Sequence, residues 1–242
     1  MKVGLQTYTI RHALAEDVAQ GFQQAQSMGF DDFELARISF DESELSICQS
    51  LNIRAYAIQD TLQSLRKHFQ KRCRFMHELH IPLAVVSVIS IPAILGSQKA
   101  ILTFCQNVNA LAKMYESAGL QLAFHHHDFE FRVRNGRLKF DWILDHLDPG
   151  VGIVMDTYWV QKAGFDPLVW AKKLGPRLRG IHLRDMQKPP GKRDCPLGEG
   201  VVDFPALFKE IDCNRVYTVI EQNSQTPFLD VAKSLAYYKT LL

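Results

Sequence analysis

Short apolar runs alternate with longer amphipathic stretches from one end of the chain to the other. The short runs are rich in β-branched residues, which is typical of buried strands, and the longer stretches repeat apolar positions at helical spacing. Strands are predicted over Val3–Tyr8, Asp32–Ala36, Ile53–Ile58, Leu83–Ile89, Leu120–His125, Val151–Asp156, Leu178–Leu183 and Val216–Glu221. Helices are predicted over Asp17–Met28, Glu42–Leu51, Gln63–Leu79, Gln98–Ala118, Phe140–Leu147, Pro167–Leu174, Phe204–Ile211 and Phe228–Leu241.

The pattern contains eight strand–helix units with no linker between them. Alternating strands and helices imply parallel strands joined by right-handed crossovers, and eight such units fit a (β/α)8 barrel. A doubly wound open sheet is the alternative. It is disfavoured because the first strand is followed by Gln6-Thr7-Tyr8-Thr9 and not by a glycine-rich dinucleotide fingerprint. We therefore predict an α/β protein with one TIM-barrel domain over residues 1–242.

Composition and charge narrow the classes of function. The 242 residues are 47% hydrophobic and carry 28 basic against 26 acidic side chains, a formal charge of +2. Disorder is excluded, and nothing suggests a nucleic-acid or membrane partner, because there is no basic excess and no apolar run of membrane-spanning length. The first residues are too short and polar for a signal peptide, and five cysteines without a CxxC pair indicate reduced thiols. We expect a cytoplasmic protein and leave a homo-oligomer open.

Three polar residues close strands that are otherwise apolar: Asp156, His182 and Glu221. In a barrel, the carboxyl ends of the strands meet at the mouth where catalytic groups lie. Burying a charge there costs several kcal/mol unless the charge is paired or bound to a metal. Each residue alone could be an ordinary hydrogen-bonded strand end, but three on neighbouring strands predict a divalent metal site. No cysteine is among them, which favours an open catalytic site over structural zinc.

The end of the fifth strand offers several further donors in His-His-His-Asp-Phe-Glu-Phe at 125–131. Strand alternation places His125 and His127 on one face and His126 on the other, so one histidine is expected to support the site by a hydrogen bond. We predict Glu130 as the fourth metal ligand, with His125 as the alternative. The long segment Arg184–Gly200 is predicted to be a functional loop whose basic residues could meet an anionic substrate.

These residues resemble the sugar phosphate isomerase/epimerase superfamily, whose barrel is xylose isomerase-like. The resemblance covers nearly the whole chain and is most specific in the segments at 125–131, 155–159, 181–186 and 196–204. It implies a fold similar to inosose dehydratase and endonuclease IV. It also implies a divalent metal (Mn²⁺, Mg²⁺, Co²⁺ or Zn²⁺) on Asp156, His182 and Glu221. One departure stands out, since His125 ends the fifth strand near where the family usually has a glutamate, which puts an acid–base pair of metal-bound glutamates in question.

The predicted reaction removes a proton next to the carbonyl of a sugar or keto-sugar, with or without a phosphate group, and forms a metal-bound enediolate. Isomerisation or epimerisation is preferred, and loss of hydroxide would make the protein an inosose dehydratase-like lyase. The rivals are an endonuclease IV-like phosphoesterase, which would need a basic DNA-facing surface, and a non-catalytic sugar-binding protein. The catalytic candidates are Glu221, Glu130 and His127, and the substrate-binding candidates are Glu34, Tyr8, Trp159 and Arg184.

Overall fold

Eight parallel strands close into a barrel in the computed structural model, which describes residues 2–95 and 97–241. Each strand pairs with the next along the chain, and the eighth pairs with the first, which confirms the predicted TIM barrel. Met1, Gly96 and Leu242 lie outside the described residues, and so does that part of the predicted 1–242 domain. The strands are β1 (Gly4–Gln6), β2 (Asp32–Leu35), β3 (Arg54–Asp60), β4 (Leu83–Val86), β5 (Gln121–His125), β6 (Gly152–Asp156), β7 (Leu178–Leu183) and β8 (Tyr217–Ile220).

Helices surround the barrel, and most agree with the predicted ones to within two residues at each end. The predicted helix Gln63–Leu79 is wrong as a single element, because the backbone of His68 leaves helical torsion angles and divides it in two. Apolar positions continue at helical spacing across this break, so the pattern does not reveal it. The helices are Arg11–Glu16, Val18–Ser27, Glu42–Ser50, Leu62–Lys67, Phe69–Glu78, Ile91–Ile94, Gln98–Ser117, Lys139–His146, Thr157–Lys162, Pro167–Leu174, Phe204–Glu210 and Pro227–Lys239.

Two of the strand ends differ from the prediction in ways that shape the mouth. β1 stops at Gln6 because the Gln6 side chain accepts the Tyr8 N–H, and the chain turns at once into the 3₁₀ helix Thr7–Ile10. β3 continues to Asp60, so Gln59 and Asp60 belong to the strand itself. The mouth is therefore lined by side chains from strand ends and by the short turns that follow them.

Apolar side chains pack in two clusters. A large cluster fills the space between the strands and the helices, and it includes the fully buried Phe33, Phe124 and Phe140. A small cluster of short and branched residues, with Tyr217 packed against it, is separate from the large one: Ala57, Leu83, Val85, Ala123 and Val154. Among the described residues, no helix combines the length and apolar character needed to cross a membrane.

Candidate metal centre

Four side chains from neighbouring strand ends come together in a buried group. His125 and Asp156 end β5 and β6, His182 lies near the end of β7, and Glu221 directly follows β8. Each offers one potential ligand atom, and these atoms all lie within 4.8 Å of one another. The pairing of Asp156 with His182 in the β6–β7 register fixes two of them side by side. The parallel barrel thus assembles two imidazoles and two carboxylates at one end.

The ring of His182 is fixed from behind by Glu34. The His182 Nε2 atom lies 2.9 Å from Glu34 Oε2, and a histidine that donates to a carboxylate in this way presents its other nitrogen to a metal. That other atom, Nδ1, is 2.7 Å from Glu221 Oε2 but is not aligned with it for a hydrogen bond. Burial alone would lower the pKa of His182, but the carboxylates of Glu34 and Glu221 raise it to about 10. A cation that binds Nδ1 would therefore replace a proton.

The ring of His125 is fixed in a similar way. Its Nδ1 atom lies 3.2 Å from the carbonyl oxygen of Ser87, which accepts the ring N–H. Its Nε2 atom is buried, has no hydrogen-bond partner among the described residues, and faces Asp156 Oδ2 at 3.7 Å. Each histidine of the group therefore turns one ring nitrogen towards a carboxylate, His125 towards Asp156 and His182 towards Glu221, as ligands of one divalent cation would.

The two carboxylate oxygens of Asp156 have different roles. Oδ1 accepts the N–H of Trp159 and so caps the helix Thr157–Lys162, which leaves Oδ2 facing the group. The N–H of Asp156 is donated to Nε2 of His126, 3.2 Å away. Burial lowers the pKa of His126 to about 3, so this histidine is neutral and able to accept. His126 is thus a histidine that supports the site by a hydrogen bond.

Arg184 joins the two carboxylates of the group. Its Nη1 atom lies 3.1 Å from Asp156 Oδ2 and 3.0 Å from Glu221 Oε1. Burial alone would raise the pKa of both carboxyls, but Arg184 first, and the histidines of the group after it, hold both pKa values well below their usual range. Both carboxylates are therefore ionised and ready to bind a cation.

Glu34 lies behind the group and not on the cavity wall. It is completely buried and, besides His182, contacts Gln6 Nε2 at 2.9 Å and the Tyr217 hydroxyl at 2.7 Å. The ring of Tyr217 reaches it by packing against Gly180, where a β-carbon would come within 2.3 Å of the ring. Sequence reasoning placed Glu34 among the substrate contacts and missed Tyr217, which begins β8 with no distinguishing signal around it.

Glu130 is not brought into the group. It is completely buried in the turn after β5, where Oε2 accepts the N–H of His127 at 2.9 Å and Oε1 has no partner within the described part of the chain. Burial raises the pKa of Glu130 to about 8, although backbone N–H groups and Lys139 oppose the shift. Of the two candidates for the fourth ligand, the structure therefore places His125 in the group and Glu130 outside it.

A cavity of about 620 Å³ opens over the group. Its wall includes Glu221 and four residues that were predicted for catalysis or substrate binding: His127, Trp159, Tyr8 and Arg184. The ring of His127 packs against those of Phe129 and Trp159, with centroid distances of 5.1 and 5.2 Å. Burial lowers the pKa of His127 to about 3, and its Nδ1 atom has no partner among residues 2–95 and 97–241. A small polar molecule in this cavity would meet aromatic faces and a neutral imidazole.

The long loop after β7 is anchored by Asp185. Its carboxylate accepts the backbone N–H groups of Gly198, Gly200 and Val202, at 3.0, 3.0 and 3.1 Å. Between these anchors, the loop forms a short antiparallel ribbon of Asp185–Met186 with Asp194–Cys195. Its basic side chains, which sequence reasoning considered for an anionic substrate, are not among the residues that line the cavity: Lys188, Lys192 and Arg193.

Comparisons with known proteins agree with this architecture. The family model described as xylose isomerase-like TIM barrel matches residues 22–240. An inosose dehydratase from Halalkalibacterium halodurans is 26% identical over 196 residues, which cover 74% of this chain and 62% of that protein. The chain thus spans less than two thirds of the length of the first curated relatives it matches.

Two solved structures show the same fold. A sugar phosphate isomerase/epimerase from Parabacteroides distasonis superposes with a TM-score of 0.81 at 17% identity, covering 97% of this chain and 96% of that one. The IolI protein with a bound zinc atom superposes with a TM-score of 0.70 at 16% identity, covering 100% of this chain and 97% of that one. The barrel described above is therefore shared with proteins of very different sequence.

Proposed function

This chain belongs to the xylose isomerase-like TIM barrel family, and we propose its function from that premise. The protein is a divalent-metal-dependent enzyme that moves a proton next to the carbonyl of a sugar or keto-sugar, as an isomerase or epimerase. The observation that carries the proposal is the buried group of two imidazoles and two carboxylates, of which His125 and Glu221 line the cavity. The curated relatives that the chain matches are named inosose dehydratases, which supports a substrate of the sugar-like class.

The ligands are His125, Asp156, His182 and Glu221. When bound, a divalent ion would polarise a substrate carbonyl and an adjacent hydroxyl oxygen as a Lewis acid. The mixed nitrogen and oxygen donors suit Zn²⁺, Mn²⁺ or Co²⁺ better than Mg²⁺, which prefers oxygen donors alone. The IolI neighbour, whose structure contains a bound zinc atom, supports the proposal that this barrel holds a divalent metal.

Glu221 is the proposed base. Its carboxylate is ionised, it lines the cavity, and its hydrogen bond with Arg184 fixes its direction. His127 is the proposed second group, because its unpartnered Nδ1 atom and its place on the wall allow this neutral imidazole to accept a hydrogen bond from a substrate hydroxyl. Glu130, the other candidate, is completely buried and off the wall, so it would act by holding the backbone of His127 in place.

A dehydratase is the second candidate. The curated relatives are inosose dehydratases, and the same deprotonated carbon gives dehydration when a neighbouring hydroxide leaves. A phosphoesterase resembling endonuclease IV is less well supported, since the described residues contain one metal-binding group of four side chains and the chain has almost no net charge. A phosphorylated substrate, a homo-oligomer and a cytoplasmic location stay predictions of the sequence.

The test is solvent isotope exchange. Purified protein loaded with Mn²⁺ or Zn²⁺ is incubated in deuterated water with a panel of keto-sugars and inososes, and the products are read by NMR. We expect deuterium at the carbon next to the carbonyl, with a new epimer or isomer marking an isomerase and a new double bond marking a dehydratase.

A pair of variants gives the control. Glu221→Gln should lower the exchange rate by about 100-fold or more, as loss of a general base does, whereas Glu78→Gln on an exposed helix should leave it unchanged. Metal-loaded protein that exchanges no deuterium into any substrate of the panel would contradict the proposal.

A further inference from the structure

The guanidinium of Arg184 lies in the candidate metal centre and donates hydrogen bonds from all three of its nitrogens. Its side chain is 5% exposed, and Nη1 bridges Asp156 and Glu221. On its other edge, Nε and Nη2 both donate to Asp194 Oδ2, at 2.9 and 2.5 Å. The rings of Tyr158 and Trp159 flank the group at 4.8 and 5.3 Å. One cation of the protein itself therefore joins three buried carboxylates.

Arg184 contacts both carboxylates that a metal would need, and on Asp156 it contacts the very oxygen that faces the group. Asp156 Oδ1 is occupied by the helix cap, so Oδ2 is the oxygen that faces the group, and Arg184 donates to it. Glu221 Oε2 faces His182 Nδ1, and its second oxygen, Oε1, accepts from Arg184. A guanidinium and a divalent ion bound to these carboxylates repel one another, and both are attracted to the same negative charges.

We propose that Arg184 is a built-in counter-cation that competes with the divalent metal for Asp156 and Glu221. It neutralises the two buried carboxylates when no metal is bound, and it lowers the affinity of the site for the ion. The proposal rests on the proposed metal-dependent function, and it adds a role for Arg184 beyond the substrate contact predicted from the sequence.

Asp194 binds the outer edge of the Arg184 guanidinium. It lies on the ribbon after β7, and its Oδ2 atom accepts both outer donors of the guanidinium. The carboxylate of Asp194 therefore shares the positive charge of Arg184 with Asp156 and Glu221, and the two ring faces keep the guanidinium beside the site. Removing that carboxylate should leave Arg184 bound more tightly to the two metal ligands, so that the metal binds less well.

Metal affinity measured directly tests the proposal without any substrate. Protein stripped with a chelator is titrated with Mn²⁺ by calorimetry and by the loss of free Mn²⁺ signal in electron paramagnetic resonance. We expect Arg184→Gln to bind Mn²⁺ about tenfold more tightly or better than wild type. We expect Asp194→Asn to bind it more weakly, which tests the same contact from the other side in a protein that keeps Arg184.

The matched control is Arg54→Gln. Arg54 makes a similar bidentate contact with Asp32, but it begins β3 and so lies at the end of the strand away from the mouth. Its Mn²⁺ affinity should equal that of wild type. If wild type binds Mn²⁺ and folded Arg184→Gln binds it equally well or more weakly, the proposed competition is wrong. The proposed metal-dependent function would then still stand. If Arg184→Gln does not fold, unchanged affinity in Asp194→Asn overturns the competition instead. Failure of wild type and of both variants to bind Mn²⁺ or Zn²⁺ overturns the proposed function, and the competition with it.

Discussion

The end of β2 and the turn after β5 each bury a glutamate completely, and the two surroundings differ sharply. Glu34, at β2, lies within hydrogen-bond distance of three donors, on Gln6, His182 and Tyr217. Glu130, in the turn, accepts one backbone N–H on one oxygen and has no partner on the other among the described residues. Complete burial is common to both residues, so it does not by itself tell what a carboxyl does.

The difference lies in what compensates the buried charge. Three donors around Glu34 offset the loss of hydration that a carboxylate suffers on burial, and one of them is the histidine that faces the metal site. Glu130 lacks this compensation, and burial raises its pKa to about 8. The donors around a buried acid, and not the acid itself, decide whether it can orient a metal ligand.

The largest expected effect is on the pH dependence of folding. The pKa of Glu130 is about 8 in the folded protein and near 4.5 when unfolded, so the folded state binds more protons between these values. The free energy of unfolding should therefore fall as the pH rises from 4.5 to 8, by up to about 1.4 kcal/mol per pH unit from this group. Glu130→Gln should remove this slope in urea unfolding measured across that range.

Glu78→Gln, which changes an exposed glutamate, is the control and should keep the wild-type slope. Equal slopes for wild type and Glu130→Gln would show that Glu130 is ionised in the folded protein across this pH range. In that case the contrast between the two buried glutamates would be lost.

The next effect is on metal affinity. Glu34→Gln keeps the shape of the side chain but removes the negative charge that fixes the His182 ring, so Mn²⁺ should bind about 10- to 100-fold more weakly. Glu130→Gln in the same titration is the matched buried control and should change the affinity less than about twofold, since Glu130 contacts none of the four ligands. Similar losses in both variants would mean that both glutamates orient the site.

The sequence predicts the barrel and three of the four grouped side chains because both follow from local pattern. Strand alternation and helical spacing are properties of neighbouring residues, and Asp156, His182 and Glu221 each interrupt or follow an apolar run. The choice between His125 and Glu130 depends instead on how the chain turns after β5. There the N–H of His127 holds the Glu130 carboxylate away from the group, and no sequence pattern encodes that bond.

Contacts across the barrel could not be predicted for the same reason. Glu34 and His182 are 148 residues apart, and Arg184 meets Asp194 through a ribbon that the pattern shows only as a loop. The predicted helix Gln63–Leu79 fails at His68 because the break changes backbone torsion without changing the apolar spacing. Sequence periodicity thus fixes which residues reach the mouth, and long-range hydrogen bonds fix which of them work together.

The smallest expected effect separates the donors of Glu34 from one another. Tyr217→Phe removes the hydroxyl that donates to Glu34 Oε2 at 2.7 Å and leaves the ring on Gly180, so it costs one of three hydrogen bonds, about 1 kcal/mol. The expected loss of Mn²⁺ affinity is a few-fold, and it should vanish when Tyr217→Phe is made in the Glu34→Gln protein, since coupled residues are not additive. Tyr56→Phe is the control, because its ring stacks on Tyr217 at 5.2 Å without touching Glu34 through a hydrogen bond in the described structure. Tyr56→Phe keeps both rings and the Tyr217 hydroxyl, so an equal loss in that variant would show that the effect does not depend on the hydrogen bond from Tyr217 to Glu34.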